Sequence, residues 1–230
     1  MEFPDKNPFI LTRAQSKEVD QLCMEKYHIP GLILMENAGR GIVDYLLSLK
    51  PVGKIIICCG KGNNGGDGLV VARHLDNQAI PLHVLLFSEP DELKGDAKIN
   101  YDIVVHSEIP LTVMNQHNMH HLNHYLAEAS WIIDALLGTG LVGELKPPYD
   151  QIIKTMNDAT KKILSVDIPS GLDCDTGEPL HTAIRATATV TMVGFKSGFV
   201  NANAKQYLGD VHIAGIGAPR LLLSALGARP

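Results

Sequence analysis

The sequence predicts an α/β fold with a mostly parallel sheet. Three observations carry that expectation. Short apolar runs alternate with segments of helical periodicity and are joined by short connections. The apolar runs, such as KIIICC at 54–59, lack polar alternation, as expected of strands covered on both faces. The polar, glycine-rich segments follow those runs, and ligands in such sheets sit beyond the carboxyl ends of the strands. Together they describe a Rossmann-like three-layer α/β/α sandwich with an N-terminal helical extension.

The elements follow in order. Residues 12–27 (TRAQSKEVDQLCMEKY) read as a helix capped by Thr12, with Val19, Leu22 and Cys23 on one face. The segment IPG at 29–31 breaks it. A second helix over about 31–48 carries Leu32, Met35, Ala38, Ile42 and Leu46 at helical spacing. KIIICC is the first core strand, and a helix follows over 68–76, starting near Gly66–Gly68. Further strands are expected at 81–87, 111–114, 131–138, 162–171, 187–195 and 210–215. Helices are expected at 91–106, 116–129 and 148–158. The 230 residues suit one domain, 1–230, with a helical lead-in over 1–50 and a Rossmann-like core over 51–220.

Composition limits the partners. The chain is 45% hydrophobic and only 5% aromatic, so the core should be aliphatic. No window approaches about 18 uninterrupted apolar residues, so no membrane span is expected. The opening MEFPDKNPFILTRAQ lacks the basic-then-apolar layout of a signal peptide. With a formal charge of −5 and no dense basic stripe, nucleic acid is not an expected partner. Cys23, Cys58, Cys59 and Cys174 form no Cys-x-x-Cys, which points to reduced thiols and a cytoplasmic protein.

Three motifs could carry chemistry. In GKGNNGGDG (60–68) a buried strand meets a glycine-rich run and a helix start, where unpaired N–H groups and a partial positive charge suit a phosphate. It closes with no Gly-Lys-Ser/Thr and is not a strict GxGxxG. Taken alone, it is equally a strand–helix turn with capping Asn and Asp. In WIIDALLGTGLVGE (131–144), Asp134 ends an apolar strand, where a carboxylate must be paired, hydrogen-bonded or bound to a cation. In SVDIPSGLDCDTG (165–177), Asp167 and Ser170 flank a proline turn.

Three parallel strands would deliver Asn64, Asp134 and Ser170 to one rim. These are oxygen ligands with a single carboxylate, a set suited to a monovalent cation more than to magnesium or calcium. His117, His120, His121 and His124 show helical spacing but lack an HExxH motif and read as a solvated face. Lys196 is an isolated lysine just after an apolar strand.

The triple motif GKGNNGGDG, DALLGTG and VDIPSGLDCDTG, in this order and spacing, resembles the YjeF N-terminal domain family, and LTRAQSKEVDQ and LMENAGRG resemble its N-terminal segments. The likeness covers roughly residues 10–220. Two positions depart from it: Phe195 precedes the lysine where proline is common, and AGIGAP ends the closing strand.

The resemblance implies an NAD(P)H-hydrate epimerase, an isomerase that interconverts the R and S epimers of hydrated NADH and NADPH at C6. It implies substrate contacts at Asn63, Asn64, Gly65, Gly66 and Asp67, at Gly138, Thr139, Gly140, Leu141, Val142, Gly143 and Glu144, and at Asp167. It implies a potassium ion on Asn64, Asp134 and Ser170. Asp67, Asp167 and Lys196 are the candidate catalytic residues. The implied functional partner is an NAD(P)H-hydrate dehydratase on a separate chain, and apolar Leu32–Leu34 suggest a homodimer surface. The alternatives are a non-catalytic nucleotide-binding regulator of the same fold and a nicotinamide-dependent dehydrogenase.

Overall fold

The computed structural model describes residues 9–226. The chain opens with β1 (Ile10–Leu11), α1 (Arg13–Glu25) and α2 (Gly31–Ser48). The sheet then begins with β2 (Lys54–Cys59), followed by α3 (Asn63–Asn77), β3 (Leu82–Leu86), α4 (Gly95–His106) and β4 (Leu111–Val113). The second half runs through α5 (Leu122–Ala127), β5 (Ala129–Ala135), α6 (Tyr149–Asp158), β6 (Lys162–Val166) and β7 (Ala188–Met192). It closes with β8 (Phe195–Lys196), α7 (Lys205–Leu208), β9 (Asp210–Ala214) and α8 (Arg220–Leu226).

The main sheet has the order β4-β3-β2-β5-β6-β7-β9, and every pairing in it is parallel. The chain turns back between β2 and β5, and the ends of those two strands form the switch point where such sheets bind ligands. The expected α/β/α sandwich is therefore present.

Its layers follow from strand alternation. Ile55, Ile57 and Cys59 join the core shared with α1, α2, α3 and α4. Ile56 and Cys58 join the opposite core under α5 and α6. Ile57 is fully buried, so truncation to alanine would cost about 2–5 kcal/mol. A smaller cluster gathers Ile168, Phe195, Phe199 and Leu208 near the end of the sheet. No helix among the described residues is long and apolar enough to cross a membrane.

Some elements differ from the sequence expectation. The helix expected over 68–76 begins earlier, at Asn63, so Asn63–Asp67 lie in its first turns. Its glycines permit close packing. A Cβ on Gly68 would lie 2.7 Å from Ala135 Cβ, and one on Gly66 would lie 2.7 Å from the Met35 side chain. The segment 116–129 supplies only a 3-10 turn (Met119–His121) and the short α5. The lead-in is also no loose appendage. β1 pairs in parallel with β8, and Thr12 caps α1 through a reciprocal hydrogen bond with Gln15.

Candidate active site

A cleft of about 800 Å³ opens at the switch point. One wall is the start of α3, with Gly62, Asn63, Asn64 and Asp67; the facing wall is the loop Gly138–Val142 that follows β5. Asp167 and Lys196 lie on its floor, and α1 and α2 supply Arg13, Asp20, Leu34 and Met35.

The start of α3 is built to receive an anion. Its cap residue is Gly62, in extended backbone, and no side chain caps the helix. The first turn therefore presents N–H groups without a side-chain acceptor. A side chain at Gly65 or Gly66 would point into the protein. A Cβ on Gly65 would fall 1.8 Å from the Gly60 carbonyl oxygen, and Gly66 packs on Met35 and Ala97. Neither lines the cleft, nor do Gly143 and Glu144 of the opposite loop. Of the expected substrate contacts, the structure brings together Asn63, Asn64, Asp67, Gly138, Thr139, Gly140, Leu141, Val142 and Asp167.

The floor carries the charge. Asp167 follows β6 with φ of 63°, a left-handed backbone uncommon outside glycine that Asp tolerates better than most residues. It is held there by three bonds: its N–H donates to Val190 O at 2.8 Å, and its Oδ1 accepts from Met192 N at 3.1 Å and from Thr191 Oγ1 at 3.3 Å. Lys196 Nζ lies 2.7 Å from the same Oδ1 and donates to Met192 O at 3.1 Å. Lys196 is 2% exposed. Enclosure by protein, then the charges of Asp167 and Asp20, push the Asp67 carboxyl well above the ordinary carboxylate range. Asp67 therefore holds a proton that a surface aspartate would release.

Asp134 and Ser170 form a second polar group beside the cleft, both fully buried. Ser170 Oγ lies 2.5 Å from Asp134 Oδ1 and 3.1 Å from Leu137 O, and it accepts from Leu137 N at 2.9 Å. Asp134 Oδ2 accepts from Ser165 Oγ at 2.8 Å and from Ser170 N at 2.9 Å. Burial pushes the Asp134 carboxyl up, and these donors pull it back only in part. Asn64 comes close to the same loop: a Cβ on Gly138 would lie 3.1 Å from Asn64 Oδ1. The buried Asn64 Nδ2 has no hydrogen-bond partner.

Asn64, Leu137 O, Ser170 and Asp134 are thus oxygen donors with one carboxylate among them. That chemistry fits a monovalent cation. Among the described residues, no group of three or more His, Cys, Asp or Glu could hold a metal. His117, His120, His121 and His124 are all exposed on the solvent face.

Two cleft residues lie outside the site residues expected from the sequence. Arg13 ties the lead-in to the site: Nε donates to Thr139 O at 2.8 Å, and Nη2 pairs with Asp173 at 2.6 Å. Asp20 lines the cleft from α1. Its signal is positional, since Ser16, Val19, Asp20 and Cys23 share one helix face and Val19 and Cys23 are buried.

Known proteins resemble the chain closely. Residues 31–198 match the family model described as YjeF-related protein N-terminus. An NAD(P)H-hydrate epimerase of Pirellula staleyi is 41% identical over 96% of this chain and 98% of that protein. One from Rhodopirellula baltica is 38% identical over 93% of this chain and 86% of that protein. A bifunctional NAD(P)H-hydrate repair enzyme of Moorella thermoacetica is 35% identical, and the match spans 42% of its length. The crystal structure of yeast YNL200c superposes with a TM-score of 0.81 at 23% identity, covering 96% of this chain and 94% of that one. That likeness supports the fold. With the family model covering most of the chain and the two epimerases matching over most of their length, the chain belongs to the family of YjeF-related protein N-termini.

Proposed function

We propose that this chain is an NAD(P)H-hydrate epimerase acting in metabolite repair. The observation that carries the reading is the convergence of Asp67, Asp167 and Lys196 in one cleft at the switch point, in a chain so similar to named epimerases. The substrate is a hydrated nicotinamide dinucleotide. Its anionic pyrophosphate belongs at the uncapped start of α3, near Gly62–Asn64. Its hydrated ring belongs over Asp67, Asp167 and Lys196. The Gly138–Val142 loop forms the other wall, with Arg13 fixing it through Thr139 O.

At C6 the ring carries a hydroxyl next to the ring nitrogen. An acid protonates the hydroxyl, the C6–O bond breaks, and the nitrogen lone pair forms an iminium. Water then adds to C6 from the opposite face, the C=N electrons return to nitrogen, and a base takes the surplus proton. Asp67, kept protonated by its surroundings, suits the acid. Asp167 suits the base, and Lys196 holds it in place. Potassium on Asn64, Asp134 and Ser170 would supply fixed positive charge and stiffen the two loops.

The functional partner of the reading is an NAD(P)H-hydrate dehydratase; the bifunctional NAD(P)H-hydrate repair enzymes among the relatives are longer proteins, of which the match spans 42% and 40%. Four buried cysteines with free thiols support a reducing compartment, the cytoplasm. Ile33, half exposed on α2, supports a homodimer contact. The test is conversion of the purified R epimer of hydrated NADH, followed chromatographically against an enzyme-free blank. Acceleration towards the equilibrium mixture of epimers supports the function; blank-rate conversion contradicts it.

A further inference from the structure

The neighbouring strands β6 and β7 end in the same way. After β6, Ile168 N donates to Val166 O at 2.7 Å around Asp167, whose φ is 63°. After β7, Gly194 N donates to Met192 O at 2.7 Å around Val193, whose φ is 70°. A three-residue turn with a left-handed centre is rare and strained. Asp tolerates that backbone, but a β-branched residue such as valine is an outlier there. Such strain persists only where the flanks dictate it. Here they do: Val193 N donates to Ala214 O at 2.9 Å, and Phe195 N donates to Phe9 O at 2.8 Å. Val193 lines the cleft together with Asp167 and Lys196.

The turn directs both polar groups of Met192 at the ion pair. Met192 N donates to Asp167 Oδ1 at 3.1 Å, and Met192 O accepts from Gly194 N and, at 3.1 Å, from Lys196 Nζ. Lys196 comes four residues after Met192, and its buried side chain reaches back to that carbonyl because the chain reverses at Val193. An ordinary negative φ at position 193 would open the turn and carry Lys196 away from Asp167, which it meets at 2.7 Å. We propose that Val193 is a positioning residue of the epimerisation: its left-handed backbone, and not its side chain, holds Lys196 against Asp167. The strain of valine at this point is offset by the contacts that the turn makes possible. This inference rests on the epimerase reading.

The test compares Val193→Gly, Val193→Ala and Val193→Pro by thermal melts and by turnover of the R epimer of hydrated NADH. Glycine adopts positive φ freely, alanine does not, and proline is fixed at a negative value. Val193→Gly should melt above Val193→Ala, the reverse of their order at an ordinary position, and should retain most of the wild-type kcat. Val193→Pro should lose kcat by at least about 100-fold with KM little changed, since a small misplacement of reacting groups has that effect. A purely structural turn would lower the melting temperature of Val193→Pro and leave the kcat of the folded protein unchanged. Val193→Gly and Val193→Ala keep the proposal open to refutation even where Val193→Pro does not fold. Wild-type turnover at the blank rate overturns the epimerase reading and this inference together. Given wild-type turnover, any of three results overturns this inference alone: Val193→Ala melting above Val193→Gly, a folded Val193→Gly without activity, or a folded Val193→Pro with the wild-type kcat.

Discussion

Lys196 Nζ and Asp167 Oδ1 lie 2.7 Å apart on the floor of the cleft, with Lys196 only 2% exposed. A buried pair of this kind adds little net stability, but removing one partner strands the other charge. Lys196→Met should destabilise the protein by about 3–5 kcal/mol. Adding Asp167→Asn to it should recover more than half of that loss. Urea unfolding of the two single variants and the double variant measures the coupling. Additive losses would mean that the two residues do not act as a pair.

Asp67 yields a pH prediction. Its carboxyl is raised in the folded state, so its contribution to stability is fully present below the unfolded-state value and is lost as pH rises through the folded one. Asp67→Asn removes that loss. The variant should melt above the wild type, with the gap wider at pH 8 than at pH 5. Thermal melts at the two pH values check this; a gap independent of pH would place Asp67 in an ordinary environment. The same substitution should abolish epimerisation, so stability and activity should move in opposite directions.

Gly65 and Gly140 should respond oppositely to alanine. At Gly65 the new Cβ would fall 1.8 Å from the Gly60 carbonyl oxygen, and backbone cannot yield as a side-chain end can. At Gly140 nothing lies within 4 Å. Gly65→Ala should cost at least about 2–3 kcal/mol. Gly140→Ala should change stability by less than about 0.5 kcal/mol. Denaturation midpoints settle both.

Ser170→Ala removes the hydroxyl that joins Asp134 Oδ1 to Leu137 N. The orphaned buried groups should cost about 1–3 kcal/mol. If this corner holds potassium, the wild type should melt higher in potassium chloride than in an equal concentration of tetramethylammonium chloride. Ser170→Ala should lose that difference. Equal wild-type melts in both salts would remove the cation from the account.

Much of this arrangement was legible in the sequence because backbone periodicity and strand ends are local properties. KIIICC reads as a covered strand, and it is β2 over the same residues. Asp134, Asp167 and Ser170 stand out because a polar residue at or just past the end of an apolar strand is locally anomalous, and Asp67 because it closes a glycine-rich run. The roles of Gly65 and Gly66 were not legible, since glycine serves equally well for approach to a ligand and for approach to another helix. Only Met35, Ala97 and the Gly60 carbonyl decide the matter here. Arg13 and Asp20 were hidden for a related reason. On an amphipathic helix they read as solvated side chains, and their partners Asp173, Thr139, Asp167 and Lys196 lie more than a hundred residues away along the chain.

The central claim is that the carboxylate–lysine floor of the cleft epimerises the hydrated nicotinamide ring. The most direct measurement is the initial rate of conversion of the R epimer of hydrated NADH, coupled to a dehydratase specific for the S epimer, with the spontaneous rate subtracted. Wild type and an Asp67→Asn/Asp167→Asn double variant of matched circular dichroism are compared. The account predicts a wild-type rate well above the blank and a double variant at the blank. A folded double variant that keeps the wild-type rate, or a wild type no faster than the blank, would contradict it.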